Sequence, residues 1–138
     1  MERLIRFGVS LPKELLIKFD RFIREKNYSN RSKAIGDLIR EVLVKKEWFE
    51  GKEVAGAITL IYNHHKDELL DSLINIQHKF EKMIISTQHI HLDGDNCLEI
   101  IAVRGKPQEV QKLADNLKVL KGVKHSTLSM SSTGKEIV

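Results

Sequence analysis

The first 50 residues change from an alternating pattern to a helical one. In residues 5–11 every second position is apolar, which is typical of a half-buried β-strand. Pro12 suits the first turn of a helix, and apolar residues then recur at helical spacing to about Lys26. Residues 27–30 supply turn and N-cap chemistry, and a second amphipathic helix is predicted to about Lys46. These residues therefore predict a strand–helix–helix (βαα) module, residues 1–50.

The pattern after this module predicts a second domain, residues 51–138. Residues 45–56 break both periodicities and predict a connector in which Trp48 and Phe49 pack on a neighbouring surface. Six elements follow in the order βαββαβ: strand 54–63, helix 66–83, strands 84–92 and 97–104 around a turn at 93–96, helix 108–120 and strand 124–131. This order is ferredoxin-like, with two helices on one face of a four-stranded antiparallel sheet. The fold class is therefore α+β, and a partner is expected on the open sheet face.

The N-terminal module is too small to satisfy its own strand edges. Two copies that pair their strands as an antiparallel ribbon would display Arg6, Gly8 and Ser10 outward. Such a ribbon fits the DNA major groove, where Arg pairs with guanine and Ser contacts base edges. Alternation alone favours a solvated strand face over a DNA-binding one. The two helices that follow, the basic charge and the polar start of the second helix favour DNA.

Composition and charge support this division. The chain has 138 residues, of which 41% are hydrophobic and 30% charged, so it is not of the disordered class. Its apolar runs are too short to span a bilayer, and we expect a cytoplasmic protein. Residues 1–50 hold 12 Lys or Arg against 8 Asp or Glu, whereas residues 51–138 hold 11 of each. The excess positive charge therefore lies in the N-terminal module, where Ser29, Asn30 and Arg31 form a candidate phosphate anchor.

A candidate metal site lies in the second domain. On a strand, His89 and His91 share a face, and we expect that face to be the open one, with Ile90 towards the core. Cys97, the only cysteine, follows across one turn and can approach His91 if the hairpin register allows it. His78 lies on the outer side of its helix and could join only from another subunit. Three imidazoles and one thiolate suit Ni(II) or Cu(II) in a planar field, or Zn(II) in a tetrahedral one.

Other polar residues have supporting roles or none in this scheme. Tyr62, Gln77 and Glu99 are candidates to orient the ligands, although Glu99 could equally be an ordinary exposed strand carboxylate. The remaining histidines are expected at the surface without metal: His64, His65 and His125. The sequence has no nucleotide-binding glycine loop, nucleophile elbow or paired catalytic carboxylates, so we do not expect an enzyme.

Five segments together resemble the nickel-responsive repressor family NikR: RFGVSLPKELL, NYSNRSKAI, IQHKF, QHIHLDGDNCLEI and GVKHSTL. The resemblance implies a ribbon-helix-helix module, a ferredoxin-like domain of the ACT type, and a homotetramer that is a dimer of dimers. It implies one Ni(II) per subunit, held in square-planar geometry by His89, His91 and Cys97 of one chain and His78 of another. Arg6, Gly8 and Ser10 would face the bases of a two-fold symmetric operator, and Lys66 would touch DNA.

Three positions depart from the family pattern. Gly8 stands where family members can have a base-contacting side chain, and Asp67 stands where a second basic residue can touch DNA. Lys33 stands where an acidic residue can help Asp37 to hold a second cation. The resemblance implies repression of nickel uptake. The alternative is a ribbon-helix-helix repressor that senses a small molecule, such as an amino acid, through its ACT-type domain.

Overall fold

The structure is a computed structural model that describes residues 3–138. Four helices and four strands lie in this range: α1 (Lys13–Glu25), α2 (Arg31–Glu50), β1 (Val54–Asn63), α3 (Asp67–Lys79), β2 (Ile84–His91), β3 (Asn96–Gly105), α4 (Pro107–Lys118) and β4 (Val123–Met130). Two compact units are separated after Arg40, within α2. None of these helices combines the length and the apolar composition needed to cross a bilayer.

The first unit contains α1 and the start of α2. Residues 3–12 form neither helix nor strand and are exposed, so the strand predicted over residues 5–11 is not confirmed in the single chain. α1 begins at Lys13, so Pro12 is its N-cap residue and does not lie in the first turn as predicted, and the helix ends before Asn27, which adopts a positive φ of 62°. Asn30 caps α2, because its side-chain oxygen accepts the backbone N–H of Lys33 at 2.9 Å. The module therefore consists of two helices preceded by an exposed arm without regular secondary structure.

α2 is longer than its sequence pattern predicted. It ends at Glu50 and not near Lys46, because Gly51, with a φ of +74°, is the first residue that stops the helix. The connector is therefore only residues 51–53. Trp48 packs into the core of the second unit as expected, and its indole N–H donates to the Ser131 carbonyl at 2.8 Å. Phe49 is 89% exposed, so its predicted packing is wrong for the single chain.

The second unit confirms the ferredoxin-like topology. Its antiparallel sheet has the strand order β2-β3-β1-β4. Apart from Gly56 and Gly105, every second residue of β1 and β3 is buried, and the apolar ones form one core with the inner sides of α3 and α4. The opposite sheet face is half-buried in the single chain, as at Ile61 and Ile100. One face of the sheet is thus closed by helices and the other is open.

Two close approaches fix the edges of this sheet. A Cβ on Gly56 would lie 2.7 Å from the Ser129 carbonyl oxygen, so glycine lets β4 approach β1 beneath Trp48. α3 ends at Lys79, four residues earlier than predicted, because residues 80–83 form a turn that leads directly into β2. The Met83 carbonyl then accepts the backbone N–H of Arg104 at 2.8 Å. This bond attaches the start of β2 to the end of β3.

Candidate metal centre

The β2–β3 hairpin determines which residues face each other. His91 lies opposite Cys97 and His89 opposite Glu99. The turn holds this register, because one carboxylate oxygen of Asp93 accepts the backbone N–H groups of Asp95 and Asn96 at 2.8 and 2.7 Å. Several interactions, of which the hydrogen bonds from Asn96 are the largest, lower the pKa of Asp93 to about 2. This carboxylate therefore stays ionised. The register that the sequence left open therefore brings the thiol next to an imidazole.

The two histidines lie on the sheet face opposite to the one we predicted. Directly paired residues of neighbouring strands share a face, and Cys97 and Glu99 are buried on the helix side. His89 and His91 therefore also lie on the helix side, and Ile90 lies on the open side. The expectation that the imidazoles point to the open face is wrong. β2 is an edge strand, so its helix-side positions remain exposed and can carry polar residues.

Three potential metal ligands converge at the end of the hairpin. His91 Nδ1 lies 3.5 Å from Cys97 Sγ, and one ligand atom each of His64, His91 and Cys97 lie within 4.8 Å of one another. The rings of His64 and His91 are perpendicular, with centroids 5.1 Å apart. Burial, and secondarily the charges of Glu99 and Asp93, raise the pKa of the Cys97 thiol. A metal that binds here must therefore displace a proton from sulfur.

Sequence reasoning missed His64, which we placed at the surface. The structure places it in partly buried surroundings beside His91, because Asn63 at the end of β1 pairs with Asn96 at the start of β3. The backbone N–H of His64 then donates to the Asp95 carbonyl at 3.1 Å. The strand order of the ferredoxin-like fold could have predicted this position of His64, because it sets β1 beside β3. His65 and His125 are exposed, as expected.

His89 belongs to a separate network of buried polar groups. Its Nε2 lies 2.8 Å from a carboxylate oxygen of Glu99, whose other oxygen accepts the amide N–H of Gln77 at 3.2 Å. The Tyr62 hydroxyl lies 3.1 Å from the same imidazole nitrogen. Burial raises the pKa of Tyr62 above its ordinary value, and the charges of Glu99 and Cys97 add to this effect. Tyr62 is therefore a neutral hydroxyl within hydrogen-bonding distance of the ring.

This network suits a metal-binding histidine. An imidazole that donates one N–H to a carboxylate presents the lone pair of its other nitrogen. The Glu99 contact at Nε2 would thus leave Nδ1 of His89 as the ligand atom. Glu99 itself is only 3% exposed, so the reading of it as an ordinary exposed strand carboxylate is wrong. The donor chemistry of His89, His91 and Cys97 fits nickel.

His78 lies away from the other candidate ligands. The inner side of α3 packs on the core, since Leu69 and Leu73 are buried and Gln77 reaches Glu99, and His78 lies on the outer side as predicted. The His78 side chain is 80% exposed, and its Nδ1 lies 3.4 Å from a carboxylate oxygen of Glu81. His78 is absent from the His64, His91 and Cys97 group. Within one chain it is available to solvent.

The candidate DNA-contacting residues are exposed, and one of them is already paired. Arg6, Gly8 and Ser10 lie in the exposed arm of residues 3–12, and Ser29, Asn30 and Lys66 are also exposed. Arg31 donates two hydrogen bonds to the Asp20 carboxylate, at 2.9 and 2.8 Å. The bond to Arg31 lowers the pKa of Asp20. A DNA phosphate at Arg31 would therefore compete with this exposed ion pair.

The carboxylate of Asp37 already has cationic partners. It accepts hydrogen bonds from Lys33 Nζ at 2.8 Å and Arg40 Nη1 at 3.1 Å, and from the Tyr28 hydroxyl at 2.8 Å. The bond from Lys33, followed by that from Tyr28, lowers the pKa of Asp37. The ammonium group of Lys33 thus supplies the positive charge next to the residue that would hold a second cation.

Comparisons with known proteins show the family of the chain. The model of the family described as NikR C terminal nickel binding domain matches residues 55–131. A "Putative nickel-responsive regulator" of Syntrophus aciditrophicus is 59% identical over 135 residues, with 98% of each chain covered. Proteins of the same name from Chlorobium limicola and Pyrococcus furiosus are 58% and 51% identical, covering 97% and 98% of this chain and 100% and 99% of theirs.

One solved structure shows the same fold at low sequence identity. It is an uncharacterized protein from Thermotoga maritima, with a TM-score of 0.50 and 10% identity over 56% of this chain and 98% of that one. The likeness concerns the fold alone.

Proposed function

Because the chain belongs to the family defined by the NikR C-terminal nickel-binding domain, we propose that it is a nickel-responsive regulator that binds DNA. The observation that carries the proposal is the pairing of His91 with Cys97 at 3.5 Å, on the sheet face where Glu99 orients His89. A thiolate and imidazoles are ligands that suit Ni(II). Bound nickel would supply a fixed link between the groups that hold it.

The proposed ligands come from two chains. His89, His91 and Cys97 would bind one Ni(II) per subunit, and His78 of a second copy would complete the set. The 80% exposure of the His78 side chain supports this role, since an exposed imidazole can reach another subunit. Tyr62, Gln77 and Glu99 would hold the ring of His89 in place. Nickel would thereby couple its own binding to the arrangement of subunits.

The proposed DNA-binding element is the arm formed by residues 3–12. Its apolar side chains are strongly exposed in the single chain, with Ile5 at 80%, Phe7 at 70% and Val9 at 60%. Pairing two arms as an antiparallel ribbon on the helices of both chains would bury this apolar side. Arg6, Gly8 and Ser10 would then face the major groove of a two-fold symmetric site. In this arrangement the N-terminal module is a ribbon-helix-helix DNA-binding module.

The proposed assembly is a homotetramer with three kinds of contact. N-terminal modules would pair through their arms, the second domains would associate through their open faces, and nickel would link His78 of one copy to the helix-side ligands of another. The open face supports this, because Ile61, Leu98 and Ile100 leave apolar surface on it. In this scheme the protein is a cytoplasmic repressor of nickel uptake. The nickel-loaded tetramer binds its operator.

Replacing Arg6 by Ala tests the DNA-binding part of the proposal. We expect the loss of a base contact worth about 1–3 kcal/mol, together with relaxed sequence preference. The binding site is first selected from a random duplex pool with nickel-loaded protein, and affinity is then measured by gel shift with and without nickel. Arg31→Ala is the matched control, since loss of a phosphate contact should weaken all sequences alike. Unchanged affinity and selectivity of Arg6→Ala would rule out the ribbon.

Replacing Glu99 by Gln tests the orientation of His89. The substitution removes the carboxylate that accepts from Nε2, so we expect nickel affinity to fall roughly 10–100-fold, the usual cost of losing such a partner. The thiolate absorption band should persist, because Cys97 is intact. Glu53→Gln removes the same charge from an exposed carboxylate bound to Arg104 and should leave nickel affinity unchanged. Equal effects of the two variants would contradict a specific role for Glu99.

A further inference from the structure

We infer that His64, His91 and Cys97 form a second metal site within one chain, and that this site takes a tetrahedral ion such as Zn(II). It shares His91 and Cys97 with the nickel set, so it rests on the proposed function for those two ligands. It differs in using His64 where the nickel set uses His89 and the partner's His78. The two sites are therefore alternatives and cannot be filled together in one subunit.

The geometry of the single chain carries the inference. Among the described residues, this trio is the group of His, Cys, Asp or Glu side chains that gathers one ligand atom each within 4.8 Å. Cys97 is buried, and its sulfur lies 3.5 Å from His91 Nδ1. His64 Nδ1 is inaccessible to solvent and has no hydrogen-bond partner in residues 3–138. A buried imidazole nitrogen without a partner is costly unless a ligand satisfies it.

The surrounding loops hold His64 in position. Its backbone N–H is bonded to the Asp95 carbonyl at 3.1 Å, which ties the end of β1 to the hairpin turn. His65 repeats this tie, since its Nε2 lies 2.8 Å from the Gly94 carbonyl oxygen. The His65 ring also packs against that of His64, with centroids 4.1 Å apart. The three ligands are thus gathered without help from another chain.

The donor set matches tetrahedral ions more closely than planar ones. Zn(II) has no geometric preference from its d electrons, and three protein ligands of His and Cys with one remaining position form a common site. Because the set lies within one chain, an ion bound there makes no contact with the partner's His78. Zinc would therefore occupy His91 and Cys97 without linking subunits. This offers a physical basis for discrimination between zinc and nickel.

Two alanine variants of the full-length protein separate the sites. His64→Ala should lower zinc affinity at least about tenfold, because losing a metal ligand costs no less than losing the hydrogen-bond partner of a ligand. The same variant should leave the nickel absorption band unchanged. His78→Ala should lower nickel affinity and leave zinc affinity unchanged. Zinc affinity is measured by competition with a chromophoric chelator. Co(II) serves as a visible probe, because tetrahedral Co(II) bound to a thiolate absorbs strongly, and His64→Ala should lose that spectrum.

His65→Ala is the matched control, because it changes the neighbouring ring and keeps all three ligands. His64→Gln repeats the test with a polar side chain if His64→Ala perturbs folding. Zinc affinity that is unchanged in both His64 variants, or a loss of nickel as large as that of zinc, would overturn the inference. If the proposed nickel site is wrong, a different result is expected: the nickel absorption spectrum would not change in Cys97→Ala.

Discussion

Cys97→Ala is expected to abolish the thiolate-to-nickel charge-transfer band and the effect of nickel on DNA binding. The substitution removes the only thiol in the chain, so no other residue can replace the sulfur ligand. With three imidazoles and one thiolate in a planar field, Ni(II) should also be diamagnetic in the parent protein and lose that state in the variant. Visible absorption during nickel titration, followed by gel shift with and without nickel, measures both effects.

The fold should survive this change, which makes the result interpretable. Cys97 lies at the end of the hairpin, and replacing it by Ala deletes a single buried sulfur atom. We expect the circular dichroism spectrum to be unchanged. An unaltered charge-transfer band in Cys97→Ala, with unaltered response of DNA binding to nickel, would eliminate the proposed site.

Acid should weaken nickel binding to the parent protein. Burial raises the pKa of the Cys97 thiol, so the free protein carries a proton there that nickel must displace. Each such proton reduces affinity by about tenfold per unit of pH below the pKa of the group that loses it. The thiol therefore contributes to this slope at neutral pH. Cys97→Ala should flatten the slope for any residual binding at neutral pH.

Trp48→Ala is expected to lower the free energy of unfolding of the second domain by about 3–5 kcal/mol. Trp48 is 91% buried in the core with Val54 and Ile58, and its indole N–H is bonded to the Ser131 carbonyl. Its removal leaves a cavity above Gly56 and breaks the hydrogen bond to the Ser131 carbonyl near the end of β4. Urea unfolding followed by circular dichroism measures the loss.

Phe49→Ala is the matched control, because Phe49 is the next residue in the same helix and is 89% exposed. In the isolated chain it should change stability by no more than about 0.5 kcal/mol. A Trp48→Ala variant as stable as Phe49→Ala would show that the indole is not part of the core. If Phe49→Ala lowers the free energy of unfolding strongly only at high protein concentration, Phe49 packs in the assembled protein.

The sequence alone determined the order of elements in the second domain. Periodicities of two and of 3.6 residues are local, so they placed β1 correctly and placed the other elements within a few residues. The same periodicity showed that His89 and His91 share a face and that His78 lies on the outer side of α3. The length of α2 was not predicted correctly, because packing of Trp48 on the core continues the helix beyond the amphipathic pattern.

Only the tertiary structure decided which face carries the imidazoles and which residues meet there. Ile90 and Leu92 suggested a core-facing side, but β2 is the edge strand, where the helix side is uncovered and Ile90 lies on the open side. The register that sets His91 opposite Cys97 depends on the hydrogen bonds of the Asp93 turn. His64 joins them because β1 pairs with β3, a contact between segments 33 residues apart from Asn63 to Asn96, which no local pattern contains.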